Sequence, residues 1–455
     1  MTHPGAVASS RVRRVRARRE VRLALLALLA VCAGAVASCA SAGKRLEQGV
    51  ELEAQGRYDE AVYRYVEALE KDADLVEARD RLLAAGDSAV TLHLSDAEGW
   101  AAGGDPVRAA EHVLRVDDLL ARARTVRVRL PTPADYTQRR RGALDAALEY
   151  HLDYADGAAA SGRYDDAVSA YRQARGPYDP SPAQRDRSLT GESEALLAWS
   201  RSELERGSLR TAYDLANRAG ELGGAPREVQ AEAEDVMAYA LERGEVELMP
   251  LPVIPGGRRR EVAALDVSAL LDRTLATGAW RAPPPFVRIT EDRLVREVVG
   301  EASALGAGLT PRGLALLLRL TDADYGAWVE VLSVDAVEFD VDRDTRSART
   351  REGEATTYVV ESGSRRLRSE VRLVVVDREG VAIEDAVLIG TGTGRFRRAL
   401  YDGDPRGLDL GRREVDYFDP AVLRAQEEAV RQALAADLAA RVAGAAYGLV
   451  LERVP

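Results

Sequence analysis

The chain has 455 residues, 46% of them hydrophobic and 30% charged, with a net charge of −11 at neutral pH and only two cysteines. Such an acidic balance excludes a general attraction for nucleic acid or for anionic lipid surfaces. Both cysteines, Cys32 and Cys39, lie near the start, so the body beyond them can form neither an intramolecular disulfide nor a thiolate metal site.

In chain order, the first feature is a secretory signal over residues 1–38. Seven arginines, Arg11 to Arg22, precede the uncharged run Leu23 to Ala37. That run is shorter than the roughly 20 residues of a comfortable transmembrane helix. Small residues fill its end, closing on Val36-Ala37-Ser38-Cys39. This tetrapeptide resembles the lipobox of bacterial lipoproteins, in which the cysteine is acylated with diacylglycerol and palmitate and the signal is cut before it. Cys39, with Ser38 beside the cut, fits better than Cys32, which has the branched Val31 there. An ordinary cleavage site and an uncleaved anchor are the alternatives. Arg18-Arg19 matches a twin-arginine dipeptide, which a run this rich in arginine contains anyway. Ala40 and Ser41 follow the cysteine, and the resemblance implies the periplasmic face of an outer membrane. Without residues 1–38, 56 basic and 73 acidic residues remain, a net −17. Membrane attachment then falls to the lipid on Cys39, with 39–45 as a tether.

Residues 46–245 carry helical periods rich in Ala, Glu, Arg and Leu. Gly49 through Gly56-Arg57-Tyr58-Asp59-Glu60-Ala61, with Tyr65 and Ala68, resembles a tetratricopeptide repeat. The signature returns at Gly162-Arg163-Tyr164-Asp165-Asp166-Ala167 with Tyr171, at Gly207 through Ala212, and more faintly at Gly104 through Ala110. The alanines Ala61, Ala110, Ala167 and Ala212 are 49, 57 and 45 residues apart. The regular repeat is about 34. The spacing therefore predicts an irregular helical solenoid with lengthened helices or inserted turns, at Leu130–Pro133 and Gly176–Pro180, closed by a helix over Arg227–Arg243. Such a stack presents a groove for a peptide or protein partner. Its register turns Glu53, Asp156 and Arg201 toward that groove, with Leu204 beside them. Solvated charge and ordinary packing are the competing readings of these four.

Residues 246–455 change character to Val-rich alternation and glycine turns. Strands are expected at Val246–Val253, Phe286–Ile289, Val329–Val341, Thr356–Glu361, Leu367–Val376, Ala386–Arg397 and Gly448–Arg453. Helices are expected over Val267–Leu275, Glu291–Ala302, Pro311–Leu320 and from Asp419-Pro420 to Ala443, the last with Leu423, Val430, Leu434, Leu438 and Val442 as its buried stripe. The fold class that follows is multidomain. An all-α, tetratricopeptide-like domain is succeeded by an α+β domain with a mostly antiparallel sheet. Val246–Pro252 and Leu320–Val331, which includes Ala323-Asp324-Tyr325, resemble the periplasmic α/β domain of the TolB amino-terminal region, the curli-export lipoprotein and the lipoprotein activators of penicillin-binding proteins.

Signs of catalysis are few. Gly390-Thr391-Gly392-Thr393-Gly394 is followed by Arg395-Phe396-Arg397-Arg398 rather than a helix start, so it reads as a strand and not a phosphate loop. Asp340, Asp342 and Asp344 begin like a calcium loop, but Thr345 and Arg351 occupy its glycine and glutamate places. His93, His112 and His151 have no second histidine at metal-ligand spacing. No nucleophile elbow occurs. The expectation is a non-enzymatic adaptor or assembly factor, with no cofactor or metal, an envelope protein or peptide as partner, and scope for homo-oligomers. An oligomeric secretion-channel component is the alternative, ahead of a cell-wall enzyme.

Overall fold

A computed structural model describes residues 42–256, 262–304 and 311–455. The signal segment and Cys39 lie outside the described residues. The chain divides into two compact units. One runs to Trp199 and takes in Arg218–Ala231; the other comprises Ser200–Asn217 and Glu232–Pro455.

The first unit is helical. Helix α1 is described over residues 42–54, followed by α2 (Tyr58–Lys71), α3 (Val76–Ala102), α4 (Pro106–Thr125), α5 (Tyr136–Ala160), α6 (Tyr164–Ala174) and the start of α7 (Pro182–Glu205). Each of α2 to α5 packs on its successor. Gly56 and Gly162 turn the chain between paired helices at φ +74° and +73°, a conformation costly for any residue with a Cβ. In α2, Ala61, Val62, Tyr65, Val66, Ala68 and Leu69 recur at helical spacing and are buried. Gly49 sits so close to the Tyr65 ring that a Cβ there would overlap it, and Gly191 stands in the same relation to Tyr171. Asp105 caps α4 by accepting from the Arg108 N–H at 3.0 Å, with Pro106 in the first turn. The non-helical stretches fall around Leu130–Pro133 and Gly176–Pro180, as the prolines predict. With α3 and α5 at 27 and 25 residues, long helices account for the wide spacing of the buried alanines.

The second unit holds the turn at Gly207 into α8 (Leu209–Glu221) and most of α9 (Arg227–Gly244). A seven-stranded sheet follows: β1 (Val246–Pro250), β2 (Ile254–Pro255), β3 (Val287–Ile289), β4 (Tyr325–Thr350), β5 (Ala355–Asp377), β6 (Ala382–Leu400) and β7 (Leu408–Asp409). Its main order is β3-β1-β4-β5-β6, with β2 and β7 also on β4. The sheet is mixed, which corrects the expected mostly antiparallel arrangement. β1 runs parallel to β3 and β4, and β2 parallel to β4; the β4–β5, β4–β7 and β5–β6 pairings are antiparallel. The reason is that β1 and β3 reach their neighbours through helical crossovers, α10 (Val262–Thr277), α11 (Asp292–Ala304) and α12 (Pro311–Thr321), rather than hairpins.

Alternate sheet residues feed two cores. Leu248, Val329, Val331, Val371, Leu373 and Val375 meet α10 and the long helix α14 (Pro420–Leu451). Met249, Val374 and Val376 face the other way, against α11 and α12. The expected apolar face of β4 holds only at its start. Val329 and Val331 are buried, whereas Val337 and Val341 are exposed. A register shift between Val331 and Ser333 reverses the side-chain parity, so Val334 and not Val337 joins the core. Asp340 lies at a second shift with φ +53°, and Asp342 and Asp344 pair with Ser362 and Val360 in the ladder.

The closing strand expected at Gly448–Arg453 does not form, because α14 continues to Leu451. Val442, Ala446 and Val450 extend the Val430, Leu434, Leu438 stripe at four-residue steps and stay buried, which outweighs the β-branched and glycine residues there. Among the described residues, α14 is the one helix long and apolar enough to cross a membrane, and half of its most apolar window is buried inside the fold. The Gly390–Gly394 run lies in β6 under this helix. A Cβ on Gly392 would fall 2.5 Å from the Leu434 backbone nitrogen and against the Val430 carbonyl. Thr391 N–H donates to Asp437 Oδ2 at 2.8 Å. The glycines are a contact surface.

An ion-pair ladder crosses the three long strands. Glu338 on β4 accepts from Arg365 on β5 at 2.6 Å and pairs with Arg398 on β6 at 3.0 Å, while Arg398 also holds Glu361 at 2.7 Å. Burial pushes the Glu338 carboxyl up, but its bonds to Arg365 and Arg398 outweigh this and hold it below the ordinary range. Arg398, first, and then Arg343 do the same for Glu361. Groups depressed on folding stabilise fully above the unfolded value, about 4.3, and lose that contribution as pH falls through the folded value. Urea midpoints measured from pH 7 to 3 are therefore expected to fall below about pH 4.5, and Glu338→Gln should lower the midpoint at pH 7 and flatten the acid limb.

Candidate functional site

The four residues that the helical pattern turns toward a groove have partners in the fold. Glu53 accepts from the Tyr65 hydroxyl at 2.5 Å and pairs with Arg81 at 3.4 Å. Asp156 accepts from the Tyr171 hydroxyl and, at 2.6 Å, from Arg187, which also holds Glu149 and Asp153. Burial, then the bond to the carboxylate, raises both tyrosine pKa values. These tyrosines thus stay neutral donors that lock one helix of a hairpin to the other. Arg201 forms an ion pair with Glu232, and half-buried Leu204 packs against Leu209, Ala240, Phe286 and Val454. Glu53 and Asp156 belong to the first unit; Arg201 and Leu204 belong to the second.

A different constellation gathers on α2, α3 and α4. These helices bury Val62 and Leu69, Ala89 and Val90, and Val113 and Val116. The same packing leaves polar residues along one margin. His93 and Asp96 are one turn apart on α3; His112 and Arg115 are one turn apart on α4. Antiparallel packing about Gly103-Gly104 sets the histidines face to face, ten residues before and eight after the turn. Their rings lie 5.2 Å apart at 50°, with Nδ1 to Nδ1 at 3.0 Å. His93 Nε2 meets both oxygens of Asp59, in the first turn of α2, at 2.9 Å. Asp96 Oδ2 stands 3.6 Å from His112 Nδ1, and Arg115 Nε 3.3 Å from Asp59.

An imidazole nitrogen held against a carboxylate carries the proton, so His93 donates from Nε2 and turns the Nδ1 lone pair toward His112. The group opens onto a hollow of about 540 Å³ lined by Asp59, His93, Glu111, His112, Leu114, Arg115 and Asp118. Asp118 accepts from Tyr63 at 2.8 Å and from Arg122 at 3.2 Å. Burial raises its pKa, but those hydrogen bonds and the neighbouring guanidinium charges outweigh it and hold the carboxyl low. His93 and Asp59 are 14% and 23% exposed, sheltered yet reachable from solvent.

Spacing alone did not reveal this site. His93 and His112 are 19 residues apart on separate helices, outside any short metal-ligand motif, and Asp59 is 34 residues further back. The available signal was the Gly104 turn, which requires α3 and α4 to run back along one another. His151 is elsewhere in the fold. It is buried beside the Tyr178 hydroxyl at 3.2 Å, and burial pushes its pKa down. Comparison with known protein-family models and with curated proteins gives no match for this chain.

Proposed function

We propose that the chain is an envelope-anchored lipoprotein acting as a protein-binding adaptor or assembly factor through irregular, tetratricopeptide-like helical repeats. Lipid on Cys39 holds it to the periplasmic face of the outer membrane, and an envelope protein or peptide is the partner. The observation that carries the reading is on α5. Tyr150 and Tyr154, one turn apart on the same face, are 48% and 42% exposed. Aromatic side chains of this kind are enriched in protein interfaces, where they provide large contact area at small entropic cost. Glu149 and Asp153, each one residue before a tyrosine on α5, pair with Arg187, and Arg163 donates to the Tyr154 hydroxyl at 3.2 Å, charged groups able to form a polar rim.

The test uses full-length chain in its native cells. A photocrosslinking residue at Tyr154 is expected to give one discrete protein adduct that the same residue at Arg141, 85% exposed on the same helix, does not give. Labelled palmitate is expected in the wild-type chain and absent from Cys39→Ala. No adduct from Tyr154 rules out the adaptor reading, and labelling that survives Cys39→Ala rules out the anchor.

A second reading, an oligomeric channel component, draws on the length of β4 and β5, 26 and 23 residues, and on the exposure of Val337 and Val341. Ring-shaped particles in detergent would favour it over the adaptor.

A further inference from the structure

We infer that His93, His112 and Asp96 form a binding site for one divalent transition-metal ion of the Zn²⁺ class, with Asp59 orienting His93. The inference does not depend on the adaptor reading.

Ligand atoms from these three residues all lie within 4.8 Å of one another. A tetrahedral Zn²⁺ with bonds of about 2.0–2.1 Å holds two nitrogens about 3.3 Å apart. The two Nδ1 atoms stand at 3.0 Å, so a small rotation of either ring admits the ion. Without it, those nitrogens can only share a proton. With it, both lone pairs are used.

The surroundings fit a bound cation. Nε2–H of His93 on the Asp59 carboxylate fixes the tautomer that leaves the Nδ1 lone pair for an ion, the second-layer carboxylate contact that metal-bound histidines commonly have. Glu111 and Asp118 line the same hollow as Asp59, and Asp96 borders His112, four carboxylates against the guanidiniums of Arg115 and of Arg122, which pairs with Asp118. A divalent ion relieves that excess of negative charge. The donor set, two imidazoles and a carboxylate without thiolate, suits Zn²⁺ better than the all-oxygen preference of Mg²⁺ or Ca²⁺. Three protein ligands would leave a fourth position for water or for a donor from another molecule. The ion would also bridge α3 to α4, so binding stabilises the fold by mass action.

The experiment takes full-length protein in detergent, stripped with a chelator, and titrates it with Zn²⁺ by calorimetry and with Co²⁺ by visible absorption. Expected are one Zn²⁺ per chain with micromolar or tighter affinity, an intense Co²⁺ spectrum of low coordination number, and a rise in melting temperature on adding Zn²⁺. His93→Gln and His112→Gln should each weaken binding at least about 100-fold, and Asp59→Asn by about 10- to 100-fold. In case a variant fails to fold, the imidazole signals of the wild-type chain are followed by nuclear magnetic resonance during the Zn²⁺ titration. Shifts confined to His93 and His112 support the site, and shifts at neither histidine overturn it. Absence of saturable Zn²⁺ binding, equal affinity in folded histidine variants, or preference for Ca²⁺ or Mg²⁺ over Zn²⁺ each overturns it as well.

Discussion

Gly392→Val is expected to lower the stability of the sheet unit by about 3 kcal/mol, at the upper end of what overpacking costs. The strain arises against backbone. The first atom added at Gly392 meets the Val430 carbonyl and the Leu434 nitrogen of α14, neither of which can turn aside as a side chain does. Relief requires lifting the helix from β6, which uncovers Leu434 and Leu438, both fully buried. Each buried leucine contributes about 1.5–3 kcal/mol, so lifting the helix costs more than the local clash. A comparison isolates the cause. At Gly394 the nearest atom to a new Cβ is a Val430 methyl, which can rotate. Gly394→Ala should therefore cost less than Gly392→Ala in denaturant unfolding followed by near-ultraviolet circular dichroism. Equal costs would show that backbone approach is not what requires glycine at 392.

Glu192→Ala is expected to destabilise the helical unit by about 3–5 kcal/mol, the cost of breaking a buried ion pair by removing one partner. The Glu192 side chain is fully buried on α7, where it accepts from Arg172 Nε at 2.7 Å and pairs with Arg175. Arg175 is 20% exposed and also donates to Ser188 Oγ at 2.9 Å. Loss of the carboxylate strands this guanidinium in a poorly hydrated place. Arg172 is half exposed and can turn to water, so Arg175 carries most of the penalty. The double replacement Glu192→Leu with Arg175→Met should recover most of the loss, because matched apolar side chains need no ionic partner. Thermal unfolding of the two single variants and the double variant measures this coupling. A double variant no more stable than Glu192→Ala would mean that Glu192 acts through packing and not through charge.

Local pattern was a good guide wherever one residue's requirement is met by its neighbours in sequence. The turn glycines and buried alanines of the helical hairpins follow directly from spacing, as does Pro420 in the first turn of α14. Strand parity in β5 was equally legible, with Val371, Leu373 and Val375 buried and Arg368 and Arg372 on the other face. Beyond Val331 the alternation failed in β4, because one unpaired residue at a register shift reverses the side chains that follow, here as far as the second shift between Phe339 and Asp342. The end of α14 was misread for a related reason. Gly448 weakens a helix and Val450 favours a strand locally, yet the buried stripe already established from Val430 to Val442 continues through Ala446 to Val450.

By itself, then, the amino-acid sequence determined the helical first half and the change to a sheet-containing second half. These depend on residues a few places apart, and their periodicity is written along the chain. Tertiary structure alone decided the mixed direction of the sheet, since parallel pairing is set by where a crossover helix returns the chain. It alone seated β6 glycines under α14, and it alone brought His93, Asp96, His112 and Asp59 to one margin of three helices. Side chains this far apart in sequence meet because each helix buries its own apolar stripe, and burial fixes which polar residues are left facing one another.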